Sequence, residues 1–188
     1  MLSSRFVKRN QMVFDFTKTR LAPPLLPQGC RFVEWSPSLI EPHADVLHRS
    51  FKDDSDGAVF TTFRQYNHCH RLIETLAGSP VFLPAATLLV AYGDPQGDNS
   101  EGIFEYVANI QGLKLSDDVG AIQNVAVLPE YRRRGLGQAL VHGALQGFQR
   151  AGVKRVTLEA TSDNYTAVNL YNRVGFTTFH VYFREIFG

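Results

Sequence analysis

The sequence predicts an α/β fold, a mixed sheet with helices packed on both of its faces. Three observations predict it. Two helical stripes precede a strand-turn-strand segment, and the second half then alternates strand, helix, strand, helix, strand. The most regular stripe (Leu136, Leu140, Val141, Ala144, Leu145 and Phe148) is a helix face that needs apolar surface to cover it. A chain of 188 residues, 44% hydrophobic, can bury one substantial core but is short for two. Residues 30–188 are therefore read as one domain, and 1–29 as an N-terminal extension with a Pro-rich connector.

Taken in order, Phe14 and Phe16 alternate with Asp15 and Thr17 as a short strand would, although the basic residues around them also suit a transit peptide. Pro23, Pro24 and Pro27 stiffen the connector by fixing φ and removing backbone donors. The packed domain is expected to begin near Cys30 with a strand to Trp35, ended by Ser36-Pro37. Leu39, Ile40, Val46, Leu47 and Phe51 make one helix face; Phe63, Tyr66, Leu72, Ile73 and Leu76 make a second, stopped at Gly78-Ser79-Pro80. Thr87 to Tyr92 and Gly102 to Ile110 read as a hairpin around the turn formers from Asp94 to Asn99. Gly120 to Leu128 is a half-buried strand running into Pro129, after which comes the helix that ends at Ala151-Gly152. Val153 to Ala160 is a strand, Asn164 to Val174 a helix closed by Gly175, and Phe176 to Phe187 a final strand or strand pair.

Charge and cysteine usage narrow the function. A formal net charge of +1 lacks the footprint of a dedicated nucleic-acid binder but leaves room for a local basic cluster that holds a phosphate-bearing small molecule. Cys30 and Cys69 have neither metal nor redox spacing, so free thiols in a reducing cytoplasm are expected. No apolar run nears the roughly 20 residues that span a bilayer, so no membrane partner is expected.

The strongest local signal is the run from Val125, Ala126 and Val127 through Pro129 to Arg132, Arg133, Arg134, Gly135, Leu136, Gly137 and Gln138, where a strand enters a glycine-bearing turn that opens a helix. The first N–H groups of a helix have no internal partners, and the dipole places partial positive charge there. A pyrophosphate can therefore accept several hydrogen bonds at once. Gly135 and Gly137 clear space for it and the arginines add charge-assisted hydrogen bonds. A dinucleotide fingerprint would need its third glycine where Leu140 stands, and no Gly-Lys-Ser/Thr follows for a P-loop.

Arg132-x-x-Gly135-x-Gly137 resembles the Gln/Arg-x-x-Gly-x-Gly/Ala cofactor motif of the GNAT superfamily of acyl-CoA N-acyltransferases. Asn164-x-x-Ala167-x-x-Leu170-Tyr171 with Gly175-Phe176 resembles that family's second motif, one helix and one strand downstream. The resemblance covers Gly120 to Phe176 closely and the first hundred residues by element order. It implies a mixed, mostly antiparallel sheet, acetyl-CoA or another acyl-CoA as co-substrate, no metal, and transfer of the acyl group to a primary amine. The acceptor would be a small molecule, a protein N-terminus or a lysine. Val125 to Val127 would splay from the neighbouring strand and lend backbone groups to the pantetheine arm, which Asn164 and Ala167 would help hold. Tyr171 would be the general acid for the departing thiolate, as a phenol can be.

Leu158-Glu159-Ala160 resembles the Leu-Glu-Val of N-terminal alanine acetyltransferases of ribosomal proteins, which makes Glu159 the candidate general base. Histone-acetylating relatives carry their glutamate earlier, where this chain reads Ala121-Ile122-Gln123-Asn124. The competing readings are a structural ion pair for Glu159, core packing for Tyr171, and, for the whole chain, a non-catalytic acyl-CoA sensor or scaffold. His68-Cys69-His70 invites zinc, but residues two apart on a helix diverge. Asp53, Asp54 and Asp56 could draw a cationic amine if their loop borders the acceptor cleft. Phe179, Tyr182, Phe183 and Phe187 suit the core or a homodimer contact.

Overall fold

Side-chain alternation decides where the chain extends and which face each residue takes. In the computed structural model, which describes residues 4–52, 61–93 and 104–187, strands β1 (Ser4–Asp15), β2 (Cys30–Glu34), β3 (Leu88–Gly93), β4 (Phe104–Lys114), β5 (Val119–Val127), β6 (Arg155–Thr161) and β7 (Thr177–Phe187) form one sheet. Helices α1 (Ile40–Phe51), α2 (Tyr66–Ala77), α3 (Leu136–Arg150) and α4 (Tyr165–Val174) cover it. The strand order is β2-β3-β4-β5-β6-β1-β7, antiparallel at every step except β5 to β6. The predicted hairpin is β3 and β4; its turn, from Asp94 to Asn99, lies outside the described residues. Phe176 to Phe187 holds a single strand, β7.

Alternate residues of β4 show why both faces are covered. Asn109 donates to the His43 carbonyl at 2.7 Å and Gln111 Nε2 lies 3.0 Å from His43 Nδ1, so this side carries α1, with α2 packed along it. A Cβ built on Gly112 would meet Phe148 of α3 at 2.9 Å, so the other side carries α3. On β6 the same period puts Val156, Leu158 and Ala160 in the core with Phe148 and leaves Glu159 on the α1 side. Burial holds the His43 imidazole down to about 3, so it is neutral where α1 meets β4.

The packed body does not begin near Cys30. β1 lies between β6 and β7, pairing Met12 with Leu158 and Phe14 with Val156, and both Met12 and Phe14 are fully buried. Pairing of this kind is non-local, so a scan of the segment shows its alternation and not the slot it fills.

Helix α3 sits close to the turn Pro84–Ala86 because Gly147 carries no side chain: a Cβ there would stand 1.9 Å from the Ala85 carbonyl oxygen. Backbone cannot yield cheaply to a methyl group. Gly147→Ala should therefore cost about 1–3 kcal/mol by overpacking and lower the melting temperature by about 3–10 °C in thermal denaturation. An unchanged melting temperature would show that the helix slides away without penalty.

Candidate active site

Leu128, fully buried, anchors the chain as it leaves β5, and Pro129 opens a short turn, Pro129–Tyr131. Arg133 then adopts φ +62° and Gly135 φ +88° before α3 begins at Leu136. A left-handed arginine is uncommon, and turns of this kind gather successive N–H groups on one concave side. No side chain caps the helix, and a Cβ on Gly135 would meet nothing within 4 Å. Arg133, Arg134, Gly135 and Gln138 are exposed, whereas Leu136 turns into the core. The leading end of α3 is thus open, donor-rich and positively charged.

The arginines divide their work. Arg132 Nε donates to the Val127 carbonyl at 3.1 Å and its Nη2 to the Ser50 carbonyl at 2.7 Å, which ties the turn to the ends of β5 and α1. Arg134 donates to the Glu130 carbonyl and lies over the Tyr131 ring. A second tie joins the same parts: Arg49 of α1 reaches Glu105 at 2.6 Å and Glu130 at 3.4 Å, and the Tyr131 hydroxyl donates to Glu105. Sequence reasoning missed this network, whose partners lie up to 81 residues apart.

β5 and β6 pair only from Val119↔Arg155 to Ala121↔Thr157, although β5 continues to Val127 and β6 to Thr161. Beyond that point β5, bulged at Gln123, follows β4 while β6 follows β1, so the parallel pair opens as a V. Val125, Ala126 and Val127 lie on one arm of this opening. Helix α4 stands by its mouth, where Leu170 would be 3.1 Å from a Cβ on Gly137. Asn164 Oδ1 accepts from the Ala167 N–H at 3.0 Å and caps α4, a structural duty for both residues. Tyr171 is 8% exposed, with its ring 5.9 Å from Phe176 on the core side of the sheet.

Glu159 stands on the other side of the sheet, two residues beyond the last β5–β6 pair. Gln11 Nε2 donates to its Oε1 at 2.9 Å, the Tyr182 hydroxyl to its Oε2 at 2.8 Å, and Arg9 lies 3.8 Å away. Burial pushes this carboxyl up, but Gln11, Tyr182, Arg9 and Arg184 together outweigh it and hold the group below its ordinary value. None of these partners was evident from sequence, since Gln11 is 148 residues from Glu159.

Elsewhere, Cys69 is buried, its thiol pushed up to about 11 by desolvation, with the Phe63 carbonyl as partner at 3.7 Å. Among the described residues no three His, Cys, Asp or Glu side chains gather as a metal site, and no helix is long and apolar enough to cross a membrane. Neither Cys30 nor Cys69 is held in a disulfide. Asp53, Asp54 and Asp56 lie outside the described residues. A surface hollow lined by Lys18, Arg20, Gln146 and Gln149 sits at the far end of α3 from Gly135 and takes no part in this arrangement.

A model of the acetyltransferase (GNAT) family matches residues 44–176. Over 59 residues the chain is 37% identical to the [ribosomal protein bS18]-alanine N-acetyltransferase of Escherichia coli K12, covering 31% of this chain and 40% of that protein. Over 59 residues it is 41% identical to the mycothiol acetyltransferase of Arthrobacter sp. FB24, covering 31% of this chain and 18% of that protein. These matches therefore span less than half the length of the curated relatives. Among solved structures, a GCN5-related N-acetyltransferase from Sphaerobacter thermophilus superimposes with a TM-score of 0.70 at 21% identity, over 98% of this chain and 53% of the other. The Escherichia coli ribosomal-protein-S18-alanine N-acetyltransferase gives 0.54 at 17% identity, over 78% and 76%.

Proposed function

The chain belongs to the GNAT acetyltransferase family, and from that membership we propose that it transfers an acyl group, most simply acetyl, from acyl-CoA to a primary amine by direct attack on the thioester. The observation that carries this reading is the open, uncapped start of α3 at Gly135. The residues there fit a diphosphate: free space at Gly135, helix-start amides from Leu136 to Gln138, and the exposed guanidinium group of Arg133. Arg132 serves by holding the turn in shape, because two of its guanidinium nitrogens, Nε and Nη2, donate to the Val127 and Ser50 carbonyls. Val125 to Val127 offer backbone groups along the arm of the V. Acetyl-CoA, when bound, supplies the activated acyl group.

An amine acceptor arrives as an ammonium ion and must lose a proton before it attacks. Glu159, ionised at neutral pH and 38% exposed at its side chain, draws that cation and passes its proton to solvent. Tyr171, on the core side, donates a proton to the departing sulfur. The acceptor is a small-molecule amine, a protein N-terminus or a lysine.

Acetyl-CoA at about 100 times its dissociation constant should stabilise the fold by about 2.7 kcal/mol and raise the melting temperature by about 5–10 °C. Thermal denaturation with and without the ligand, followed by an assay of thiol release against a panel of amines, checks both halves. No shift at millimolar acetyl-CoA removes the cofactor. A shift without amine-dependent thiol release makes the chain an acyl-CoA sensor instead of an enzyme.

A further inference from the structure

Resting on the reaction proposed above, we infer that Gln11 and Tyr182 are positioning residues for Glu159, so that β1 and β7 build the acceptor side of the site although neither strand belongs to the region that carries the cofactor seat. Glu159 projects from a wall of the V on the α1 side, and each of its oxygens is fixed by a donor from a different strand. Gln11 Nε2 of β1 holds Oε1 at 2.9 Å, and the Tyr182 hydroxyl of β7 holds Oε2 at 2.8 Å. Two donors on two oxygens leave the carboxylate no freedom to rotate, yet its outer lone pairs still reach solvent.

The charged and titratable groups around the carboxylate come from β1 and β7. From β1 comes Arg9, whose side chain is 7% exposed, 3.8 Å from Oε2, and also hydrogen-bonded to Thr161 of β6 at 2.8 Å. From β7 come Tyr182, Arg184 and His180, the last stacked on Tyr182 with centroids 6.1 Å apart and planes at 11°. Glu159 is thus also the counter-charge of a buried guanidinium group. Deleting it would strand that charge and confuse function with stability. Removing one neutral donor is the cleaner test, because Arg9 keeps its ion pair.

The sign follows from the donors. Gln11, Tyr182 and Arg9 favour the ionised carboxylate and burial opposes it, so loss of one donor lets the proton bind at higher pH. Tyr182→Phe and Gln11→Met should each slow thiol release about tenfold at the acidic end of the pH profile of kcat/KM, with little change at the alkaline end.

Two readouts decide the matter. One is the pH titration of the Glu159 carboxyl carbon by 13C NMR, assigned with Glu159→Gln. The other is the pH profile of thiol release from acetyl-CoA, with spermidine, glucosamine and an alanine-initiated peptide as probe amines. The expected result is that both move to higher pH in each variant. A carbon titration that stays in place, whatever happens to the melting temperature, overturns the positioning role. A carbon titration that moves while the activity profile stays in place supports the hold on the carboxylate and overturns its part in acyl transfer. If no probe amine is turned over, the carbon titration still decides the positioning role, and the failure falls on the proposed reaction.

Discussion

Tyr171→Phe is expected to lower turnover by about 100-fold or more while leaving acetyl-CoA affinity within about twofold. The ring is 8% exposed and packs edge-on against Phe176, which itself lies 5.6 Å from Phe14, so phenylalanine preserves every apolar contact. Only the hydroxyl is lost. A buried hydroxyl contributes about 1 kcal/mol to stability, which leaves the variant folded for assay. A proton donor to the leaving sulfur matters in the transition state and little in the ground state, so the loss should fall on kcat and spare KM. Steady-state kinetics beside a thermal shift with acetyl-CoA separates the two. Wild-type kcat in the variant would make Tyr171 a core residue with no part in the reaction.

Gly135→Asp is expected to weaken acetyl-CoA binding by about 10- to 100-fold relative to Gly135→Asn. Both residues tolerate the left-handed conformation that φ +88° demands, and both project into space where a Cβ meets nothing within 4 Å. They differ in one charge. Two like charges about 5 Å apart repel by about 3 kcal/mol at an effective dielectric constant near 20, less where solvent screens them, which sets the range. Isothermal titration of both variants measures the ratio. Equal affinities would mean that no anion sits at the head of α3.

Where a feature depends on residues close in sequence, local spacing alone makes it legible. The stripe of α3, the hairpin of β3 and β4, and the open turn from Arg132 to Gly137 are all of this kind. The arginine run shows the limit of such reading. Sequence offers three cations to a phosphate, but the Ser50 carbonyl, 82 residues away, holds Arg132 together with the nearby Val127 carbonyl, and Arg134 donates back to the Glu130 carbonyl of its own turn. The setting of Glu159 is hidden for the same reason. Its fate as an ionised, doubly held carboxylate depends on Gln11 and Tyr182, which reach it only through strand pairing. Asn164 shows a third case, because a motif position expected beside the cofactor arm spends its side-chain oxygen on the start of its own helix.

The slot filled by β1 has a consequence for how the protein is made. Both neighbours of β1 lie 140 residues or more downstream, so the strand leaves the ribosome well before either of them and cannot be used until β6 has followed. At about 5–20 residues per second, Met12 and Phe14 wait uncovered for roughly ten seconds or longer. High contact order then makes their docking a late step, and β7, whose one strand partner among the described residues is β1, must be later still or arrive together with it. Nascent chains stalled short of β6 should therefore be the ones that recruit a chaperone to the β1 segment.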